Sequence, residues 1–427
     1  MKTSISFLFF LVIIGGLSAQ DQYIYCGNLL DVENRKVLSN KTIIVKADKI
    51  HAIEDGFVDV PKAAELIDLK SYTILPGLFD MHVHLESETS PDNYIKPFTL
   101  NEADVAYEAQ KHAKTTLMAG FTSVRDLGGS GVNTSLRDAI NKGLVMGPTI
   151  YSAGKSIATT GGHADPTNGY KADLMGHPGP DQGVINGTAE AREAVRQRYK
   201  NGADVIKITA TGGVLSVAKS SQNPQFFEDE LRAIVETAND YGMVTAAHAH
   251  GDEGMQRAVK AGIKTIEHGT LMSEETMELM KKHDAYLVPT ITAGKSVAEM
   301  AEIEGYYPEL VVPKAKAIGP QIQGTFEKAY KKGVQILFGT DAGVFKHGLN
   351  AKEFGYMVEV GMPAMEAIQS ATIVPAKLLK VDDNYGSISI GKKADLIAVK
   401  GNPLDEVSIL EKVNFVMKHG AVVKIEF

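Results

Sequence analysis

The stretch PGLFDMHVH, from Pro76 to His84, reads as an apolar strand that ends in two histidines. Successive side chains of a strand point to opposite faces, so His82 and His84, two positions apart, face the same side. Imidazole nitrogen is a common ligand of divalent metals, and one metal could bind both rings. Taken alone, the pattern is equally compatible with two hydrogen-bonded histidines beside a loop.

Downstream of this strand, short apolar strands alternate with amphipathic helices as far as about residue 375. In the helix predicted over 226–241, one face carries Phe227, Leu231, Ile234, Val235, Ala238 and Tyr241. Gly242 follows as a typical helix stop. Eight strands are predicted in this part of the chain: 77–84, 123–127, 149–153, 205–211, 244–250, 265–269, 286–292 and 335–341.

Eight strand–helix units over roughly 300 residues indicate an α/β fold of the (β/α)8 TIM-barrel type. A doubly wound sheet is the alternative, but no phosphate-binding glycine fingerprint follows the first strand. The two chain ends differ from this middle part because their apolar and polar residues alternate around turns. They predict short strands at 21–31, 42–53, 72–75, 394–399, 413–418 and 421–427.

The composition excludes several classes of protein and of metal site. The 427 residues include 44 basic and 52 acidic side chains, a net charge of −8, one cysteine and twelve histidines. A chain that is 44% hydrophobic can form a large core, which excludes disorder. One cysteine cannot form an internal disulfide or a cysteine-based zinc site. An acidic chain without a basic block also argues against a nucleic-acid partner.

The first 19 residues have the pattern of a secretory signal peptide. Lys2 is followed by the apolar run 7–14 and then by the small residues of 15–19, with cleavage expected after Ala19. A membrane anchor is the alternative, but the apolar run is short for a span of about 20 residues. We therefore predict a secreted or periplasmic protein with no stable membrane span after cleavage.

Four other predicted strands of the middle part carry polar residues at or near their carboxyl ends, where the catalytic groups of a barrel lie. These are Lys207, His248 with His250, His268 and Asp341. A lysine inside an apolar strand is costly to bury, and burial lowers its pKa toward a reactive neutral amine. Such an amine can take up carbon dioxide and bridge two metals as a carbamate, although an ion pair is the simpler alternative. Chance placement of one such residue is easy, but placement of all five groups at this register is not.

In this order and spacing, the chain resembles the amidohydrolase superfamily of metal-dependent hydrolases over nearly its whole length after residue 19. The run GSI at 386–388 and the run GKKADLI at 391–397 are similar to the segment that returns to that family's small β-sandwich. The resemblance implies a composite β-sandwich from 20–75 and 376–427 beside a barrel over 76–375. It also implies a homo-oligomer, as relatives of this group often are.

Within the superfamily, the chain looks most like the imidazolonepropionase-like group that contains prolidase and Xaa-Arg dipeptidase enzymes. Three segments carry this likeness: TGGH at 160–163, TGG at 211–213, and DAGVF at 341–345 with His347, Gly348 and Asn350. Imidazolonepropionases themselves use one metal and lack the bridging lysine, so Lys207 argues against that activity.

The resemblance implies a role for each of these residues. His82, His84 and Asp341 would bind one divalent metal, His248 and His268 the other, and carboxylated Lys207 would bridge the two metals. Zinc is the expected metal. A hydroxide bridging the metals would attack the amide carbonyl, and Asp341 would pass its proton to the leaving amine.

The substrate of such a site is a small molecule or dipeptide, and the predicted reaction cleaves the C-terminal amide bond of dipeptides or N-acyl amino acids. In dipeptidase-like relatives, a histidine like His163 and a tyrosine at the position of His250 hold the substrate carboxylate. The change to histidine at 250 leaves the preferred C-terminal residue open. His347 is a further candidate for lining the pocket, and both His163 and His347 have plain loop roles as alternatives.

Three other functions are compatible with the sequence. An aryl-amide hydrolase of the ochratoxin type would use the same groups. A cyclic-amide hydrolase or a deaminase on the same scaffold would differ by opening a ring or releasing ammonia. A non-catalytic binding protein is expected to have lost metal ligands, whereas all six candidates are present here.

Overall fold

The computed structural model describes residues 20–426, so the predicted signal peptide lies outside the described residues. The chain begins with four strands that pair with one another: β1 (Gln22–Asp31), β2 (Lys36–Lys46), β3 (Lys49–Asp55) and β4 (Glu65–Pro76). β1 lies between β2, to which it is antiparallel, and β4, to which it is parallel.

Ten strands follow in the middle of the chain. They are β5 (Leu78–Val83), β6 (Phe121–Asp126), β7 (Thr149–Ser152), β8 (Ala158–Thr159), β9 (Val184–Ile185), β10 (Val205–Thr209), β11 (Val244–Ala249), β12 (Thr265–His268), β13 (Tyr286–Val288) and β14 (Gln335–Ile336). Apart from the short pair β8 and β9, these are the eight strands that the sequence predicts.

The eight strands form two parallel sheets, β5–β7 and β10–β14, that join at both edges. At one seam the Ile157 amide donates to the Lys207 carbonyl at 2.8 Å. At the other seam the Asp341 amide donates to the His82 carbonyl at 2.7 Å. The sheets therefore close into a (β/α)8 barrel, as predicted, and the carboxyl ends of all eight strands meet at one end.

Helices pack around this barrel. They are α1 (Lys96–Thr99), α2 (Glu102–Met118), α3 (Val132–Asn141), α4 (Ala172–Met175), α5 (Thr188–Lys200), α6 (Glu228–Asp240), α7 (Asp252–Ala261), α8 (Glu274–Lys282), α9 (Ile291–Met300), α10 (Val312–Lys331), α11 (Lys352–Glu359), α12 (Ala364–Ser370) and α13 (Ile373–Leu378). Three short 3-10 helices lie at Pro91–Tyr94, Pro180–Gln182 and Val407–Glu411. No helix of residues 20–426 is both long and apolar enough to span a bilayer.

Helix α6 shows where the sequence pattern succeeds and where it fails. Leu231, Ile234 and Ala238 are buried, as their spacing predicts. Phe227 is 72% exposed, however, because it is the N-cap residue and its extended backbone turns the side chain away from the buried face. Phe226, one position earlier, takes the core position instead.

The chain closes with β15 (Leu396–Lys400), β16 (Phe415–Lys418) and β17 (Ala421–Ile425). β15 pairs with β4, so both chain ends form one seven-stranded sheet in the order β17-β16-β15-β4-β1-β2-β3. Ile50 of β3 and Met417 of β16 belong to one apolar cluster although four strands separate them. The sheet therefore curls over a single core, and the chain ends form a composite β-domain.

Candidate metal centre

The carboxyl ends of the barrel strands surround a cavity of about 810 Å³. One side, here called the polar wall, consists of His82, His84, Lys207, His248, His268 and Asp341. The opposite side, the apolar wall, consists of Val214, Leu215, Ala293, Val297, Ala315, Ile318, Ile322 and Val344. All six metal ligands predicted from the sequence therefore line one cavity.

Three members of the polar wall, His82, His84 and Asp341, meet at their coordinating atoms. His82 Nε2 lies 3.3 Å from His84 Nε2 and 3.4 Å from Asp341 Oδ1. Asp341 Oδ1 lies 3.3 Å from His84 Nε2. His84 Nδ1 lies 2.7 Å from the Gly128 carbonyl, which can only accept, so the His84 proton sits on Nδ1 and Nε2 carries a lone pair.

His268 joins this group from the end of β12. Ligand atoms of His82, His268 and Asp341 all lie within 4.8 Å of one another. Thr290 Oγ1 lies 2.7 Å from His268 Nδ1 and can accept its proton, which leaves Nε2 free to coordinate.

His248 lies beside His268, with ring centroids 4.7 Å apart. Its Nε2 lies 3.1 Å from the Gly212 carbonyl, so the proton sits on Nε2 and Nδ1 is the atom left for a metal. The structure thus supplies a distinct backbone or side-chain partner for the second ring nitrogen of His84, His248 and His268. Such partners fix the tautomer and orientation of metal-binding histidines.

Lys207 is buried between these groups, and its Nζ lies 3.5 Å from His82 Nε2. None of the described carboxylates forms an ion pair with it. Burial lowers the pKa of Lys207 to about 8, partly offset by the negative charges of Glu267 and Asp341. The ion-pair alternative for Lys207 therefore finds no support in residues 20–426, and a neutral amine is accessible near physiological pH.

Burial also keeps the histidines neutral, which metal coordination requires. It lowers the pKa of His84 to about 4 and those of His82, His248 and His268 well below their usual value. Burial raises the pKa of Asp341 to about 8, against the opposing effect of the Lys207 charge.

Asp341 Oδ1 provides a test of whether a metal fits here. This oxygen is buried and has no hydrogen-bond partner among residues 20–426. It faces the Nε2 atoms of two histidines, and that of His84 carries a lone pair. A cation placed between these atoms would be bound by all of them, so the donor set fits a divalent metal.

A buried network behind His82 was not predicted from the sequence. Glu267 Oε2 lies 3.0 Å from His82 Nδ1, at contact distance but without the alignment of a hydrogen bond. Its other oxygen accepts from Arg125 at 2.9 Å and from Thr265 at 2.5 Å. Arg125 also donates to the Met81 carbonyl at 2.7 Å, so this arginine ties β12 to β5 beside His82. Lys207 stands out as a charge within the apolar strand VIKIT, whereas Arg125 lies in the more polar strand FTSVRD, where a charge is less conspicuous.

Asp80 is a second buried carboxylate beneath the polar wall. It accepts from Thr340 Oγ1 at 2.6 Å and from Asn350 at 2.7 Å. Its other oxygen accepts from the His82 amide at 3.1 Å. Asp80 therefore fixes β5 relative to the segment that carries Asp341.

Three residues at this end of the barrel adopt left-handed backbone conformations that only glycine adopts without strain. The φ angles are 72° at His268, 53° at Thr290 and 61° at Asp341. Each conformation costs of order 1–3 kcal/mol, and such strain concentrates at functional sites. Here it turns His268 and Asp341 into the cavity at the strand ends.

The three predicted substrate-binding histidines divide into two groups. His163 and His250 line the cavity beside His248, with ring centroids 4.3 and 4.7 Å from that of His248. His347 does not line it: its Nε2 lies 2.9 Å from the Ser87 carbonyl and its ring stacks on His112. The structure therefore brings His163 and His250 to the site and leaves His347 behind the loop that follows β5.

The model of the amidohydrolase family matches residues 73–424 of the chain. The chain belongs to this family. Members of the family generally use divalent metals, which agrees with the site described above. The family and the hydrolase class predicted from the polar strand ends are both confirmed.

Relatives of known structure or name support a hydrolase acting on C–N bonds. The chain is similar to a crystal structure of a Xaa-Pro dipeptidase with bound methionine in its active site, with a TM-score of 0.92 and 55% identity over 95% of this chain and 100% of that one. A prolidase complexed with N-methylphosphonate-L-proline is 32% identical, with a TM-score of 0.87 over 95% and 100% of the two chains. Ochratoxinase of Aspergillus niger is 32% identical over 97% of this chain and 89% of its own length.

Proposed function

We propose that this protein is a binuclear metal-dependent hydrolase that cleaves the amide bond to a C-terminal amino acid in dipeptides or N-acyl amino acids. One observation carries the proposal: six candidate ligands, five of them buried and His84 half-buried, converge on one wall of a cavity that also has an apolar wall. The polar wall would supply donors for two metals, and the apolar wall could contact the apolar part of a small substrate.

In this proposal the six candidate ligands divide into two sets and a bridge. His82, His84 and Asp341 would hold one metal, and His248 with His268 the other. Zinc is the proposed metal because imidazole and carboxylate ligands suit it. When bound, divalent metals polarise an amide carbonyl and acidify a water molecule.

Lys207 lies 3.5 Å from His82 Nε2 at the closed end of the cavity. A lysine whose pKa is lowered to about 8 has enough neutral amine to react with carbon dioxide. The resulting carbamate would add two oxygen donors between the two histidine sets. This is the proposed bridge.

Asp341 would move the proton during turnover. Its Oδ1 is buried without a hydrogen-bond partner in the described chain, so one carboxylate oxygen is free to accept a proton. The strained backbone of Asp341 holds that oxygen at the centre of the polar wall. From there it would return the proton to the amine that leaves.

Substrate carboxylate would bind near His163 and His250. His163 Nδ1 is buried and has no hydrogen-bond partner among residues 20–426. His250 Nδ1 lies 2.9 Å from Thr270 Oγ1, which orients its ring. The similar Xaa-Pro dipeptidase structure contains bound methionine, which supports an amino acid as the product released here.

An aryl-amide of the ochratoxin type is a second candidate substrate. The apolar wall supports it because an aromatic acyl group can pack there, and a relative named ochratoxinase is 32% identical. Both candidates require the same polar wall.

The signal-like residues 1–19 support a further proposal, that the protein acts outside the cytoplasm. Fractionation of the native producer would test it. Homo-oligomer formation also stays a prediction, which light scattering of the purified protein would check.

Hydrolysis assays on zinc-loaded protein test the proposed function. The panel contains Xaa-Pro, Xaa-Arg, Xaa-Lys and Xaa-Phe dipeptides, N-acyl amino acids and an aryl-amide of phenylalanine. We expect release of the C-terminal amino acid from at least one class. Ring opening of a hydantoin or release of ammonia, without release of an amino acid from any member of the panel, would overturn the proposal in favour of the related chemistries.

A further inference from the structure

Lys314 carries a positive charge near the start of α10, which is an unusual position for one. Its side chain is buried, and none of the described carboxylates forms an ion pair with it. The first turn of a helix disfavours cations because of the helix dipole, and α10 has no acidic residue there. Burial and helix position both oppose the charge, so compensation must come from other contacts.

That compensation comes from three backbone carbonyls of one segment. Lys314 Nζ donates to the carbonyls of Gly213 at 3.1 Å, Ser216 at 2.7 Å and Ala218 at 2.8 Å. An ammonium group has three hydrogens, and three carbonyls accept them. Hydrogen bonds to a charged group are also the stronger kind. Lys314 thus binds the segment 212–218 to α10.

The segment 212–218 forms a large part of the cavity. Val214 and Leu215 belong to the apolar wall. The Gly212 carbonyl is the partner of His248, and a side chain at Gly213 would collide with the His163 ring at 2.2 Å. The segment 212–218 therefore forms part of the apolar wall and also contacts the candidate ligand His248 and the candidate substrate-binding residue His163.

Helix α10 itself supplies the neighbouring part of the apolar wall. Ala315 and Ile318 follow Lys314 on the helix and line the cavity. These residues and Val214 belong to one apolar cluster, so the placement of the segment 212–218 against α10 shapes this part of the cavity. Tyr94 holds the same segment from another side, because its hydroxyl donates to the Leu215 carbonyl at 2.9 Å.

We propose that Lys314 is a positioning residue that fixes the segment 212–218 against α10 and thereby selects substrates with a large apolar residue. The inference rests on the proposed amide hydrolysis for its substrate class. The three hydrogen bonds from Lys314 to the segment 212–218, here called the clasp, do not depend on that function. A leucine or methionine side chain of the substrate would contact more residues of the apolar wall than an alanine side chain would. Each additional methylene group that an apolar pocket contacts raises kcat/KM for the larger substrate by about tenfold or more.

The test compares wild type with Lys314→Met and with the matched control Lys316→Met. Lys316 lies on the same helix, is exposed and pairs with Glu302 at 2.8 Å. Hydrogen–deuterium exchange of the zinc-loaded proteins is followed in peptides covering 211–225. We expect faster exchange there in Lys314→Met and wild-type exchange in Lys316→Met. Unchanged exchange in Lys314→Met would overturn the clasp.

Kinetics with N-acetyl-leucine and N-acetyl-alanine then test selectivity. In Lys314→Met we expect KM for N-acetyl-leucine to rise so that the leucine preference falls about tenfold, while kcat changes little. An equal loss of kcat on both substrates would indicate a merely structural role and overturn the selectivity. If wild type cleaves no amide at all, the proposed function fails, and the exchange experiment still decides the clasp.

If Lys314→Met does not fold, Tyr94→Phe tests the role of the segment 212–218 instead. This variant removes one hydroxyl and its bond to Leu215 from the same segment. We expect a smaller shift in the same direction, with faster exchange at 211–225 and a reduced leucine preference. If a folded Tyr94→Phe protein shows wild-type exchange at 211–225 and a wild-type preference for leucine, the segment 212–218 does not control the apolar wall.

Discussion

The two walls of the cavity are built from different parts of the fold. The polar wall stands on strand ends, and its groups are held by short hydrogen bonds from neighbouring strands and the loops that follow them. The apolar wall stands on α9, α10, the segment 212–218 and Val344, and Lys314 joins α10 to that segment. The difference teaches that barrel strands position the candidate metal ligands, whereas helices and loops form the surface that we propose selects the substrate.

The largest effect expected from this contrast is the loss of turnover in Asp341→Asn. An amide cannot accept and return the proton, and it is a poorer metal ligand, so kcat should fall by about 10³-fold or more. The fold should persist, because Asp341 pairs with the barrel through its backbone. Steady-state kinetics with circular dichroism as the folding control would check this, and a fully active variant would contradict the role of Asp341.

A smaller effect is expected in Glu267→Gln, which changes the support of the polar wall rather than a ligand. The substitution removes the charge that faces His82 Nδ1 and leaves Arg125 without its carboxylate. We expect metal affinity to fall about 10–100-fold, measured by competition with a chelating dye.

Glu230→Gln is the matched control for that experiment. Glu230 is also buried, but its oxygens accept from the amides of Gly187 and Phe227 on the outside of the barrel. The control should lose stability while keeping wild-type metal affinity. Equal metal affinity in Glu267→Gln and Glu230→Gln would remove Glu267 from the metal centre.

On the apolar wall, Ile318→Ala should leave metal binding unchanged. Removing its apolar contact should raise KM for substrates with a large apolar residue about tenfold. Lys316→Ala, on the exposed side of the same helix, should keep the wild-type KM. A loss of bound metal in Ile318→Ala would break the separation between the two walls.

The smallest expected effect is a change in the pH dependence of stability in His250→Gln. Burial lowers the pKa of His250 to about 3, helped by the Lys314 charge. The unfolded chain therefore takes up this proton below about pH 6.5 while the folded protein does not, so stability is lost as pH falls from 6.5 toward 3. The variant lacks this contribution, so its unfolding free energy should fall less steeply with decreasing pH. The difference in slope corresponds to at most one proton taken up on unfolding.

Denaturant unfolding of metal-free protein between pH 4 and 8 measures that slope. His177→Gln, which removes an exposed histidine, is the control and should follow wild type. A wild-type slope in His250→Gln would mean that His250 is protonated in the folded cavity.

The polar wall could be predicted from the sequence because strand periodicity is local information. Two-residue spacing places His82 and His84 on one face, and a barrel brings the carboxyl ends of its strands together. Each ligand could therefore be found from its own strand. Arg125 lies in the more polar strand FTSVRD, so no comparable signal marks it.

The apolar wall and its clasp could not be predicted in this way. Lys314 lies about 100 residues from the carbonyls that it binds, and no local pattern marks such a pairing. The position of His347 shows the same limit, since proximity to the eighth strand did not place its ring in the cavity. The prediction that Phe227 is buried fails for a related reason, because a helix-capping residue lies off the face that periodicity predicts.

The measurement that tests the central claim most directly is a zinc titration of metal-free wild type and Lys207→Ala, with hydrolysis of the best amide substrate as the readout. For wild type, we predict that activity rises to a plateau at two zinc ions per chain. For Lys207→Ala, we predict fewer bound ions and little activity. Full wild-type activity with one zinc ion, or an unchanged titration in Lys207→Ala, would contradict the binuclear centre.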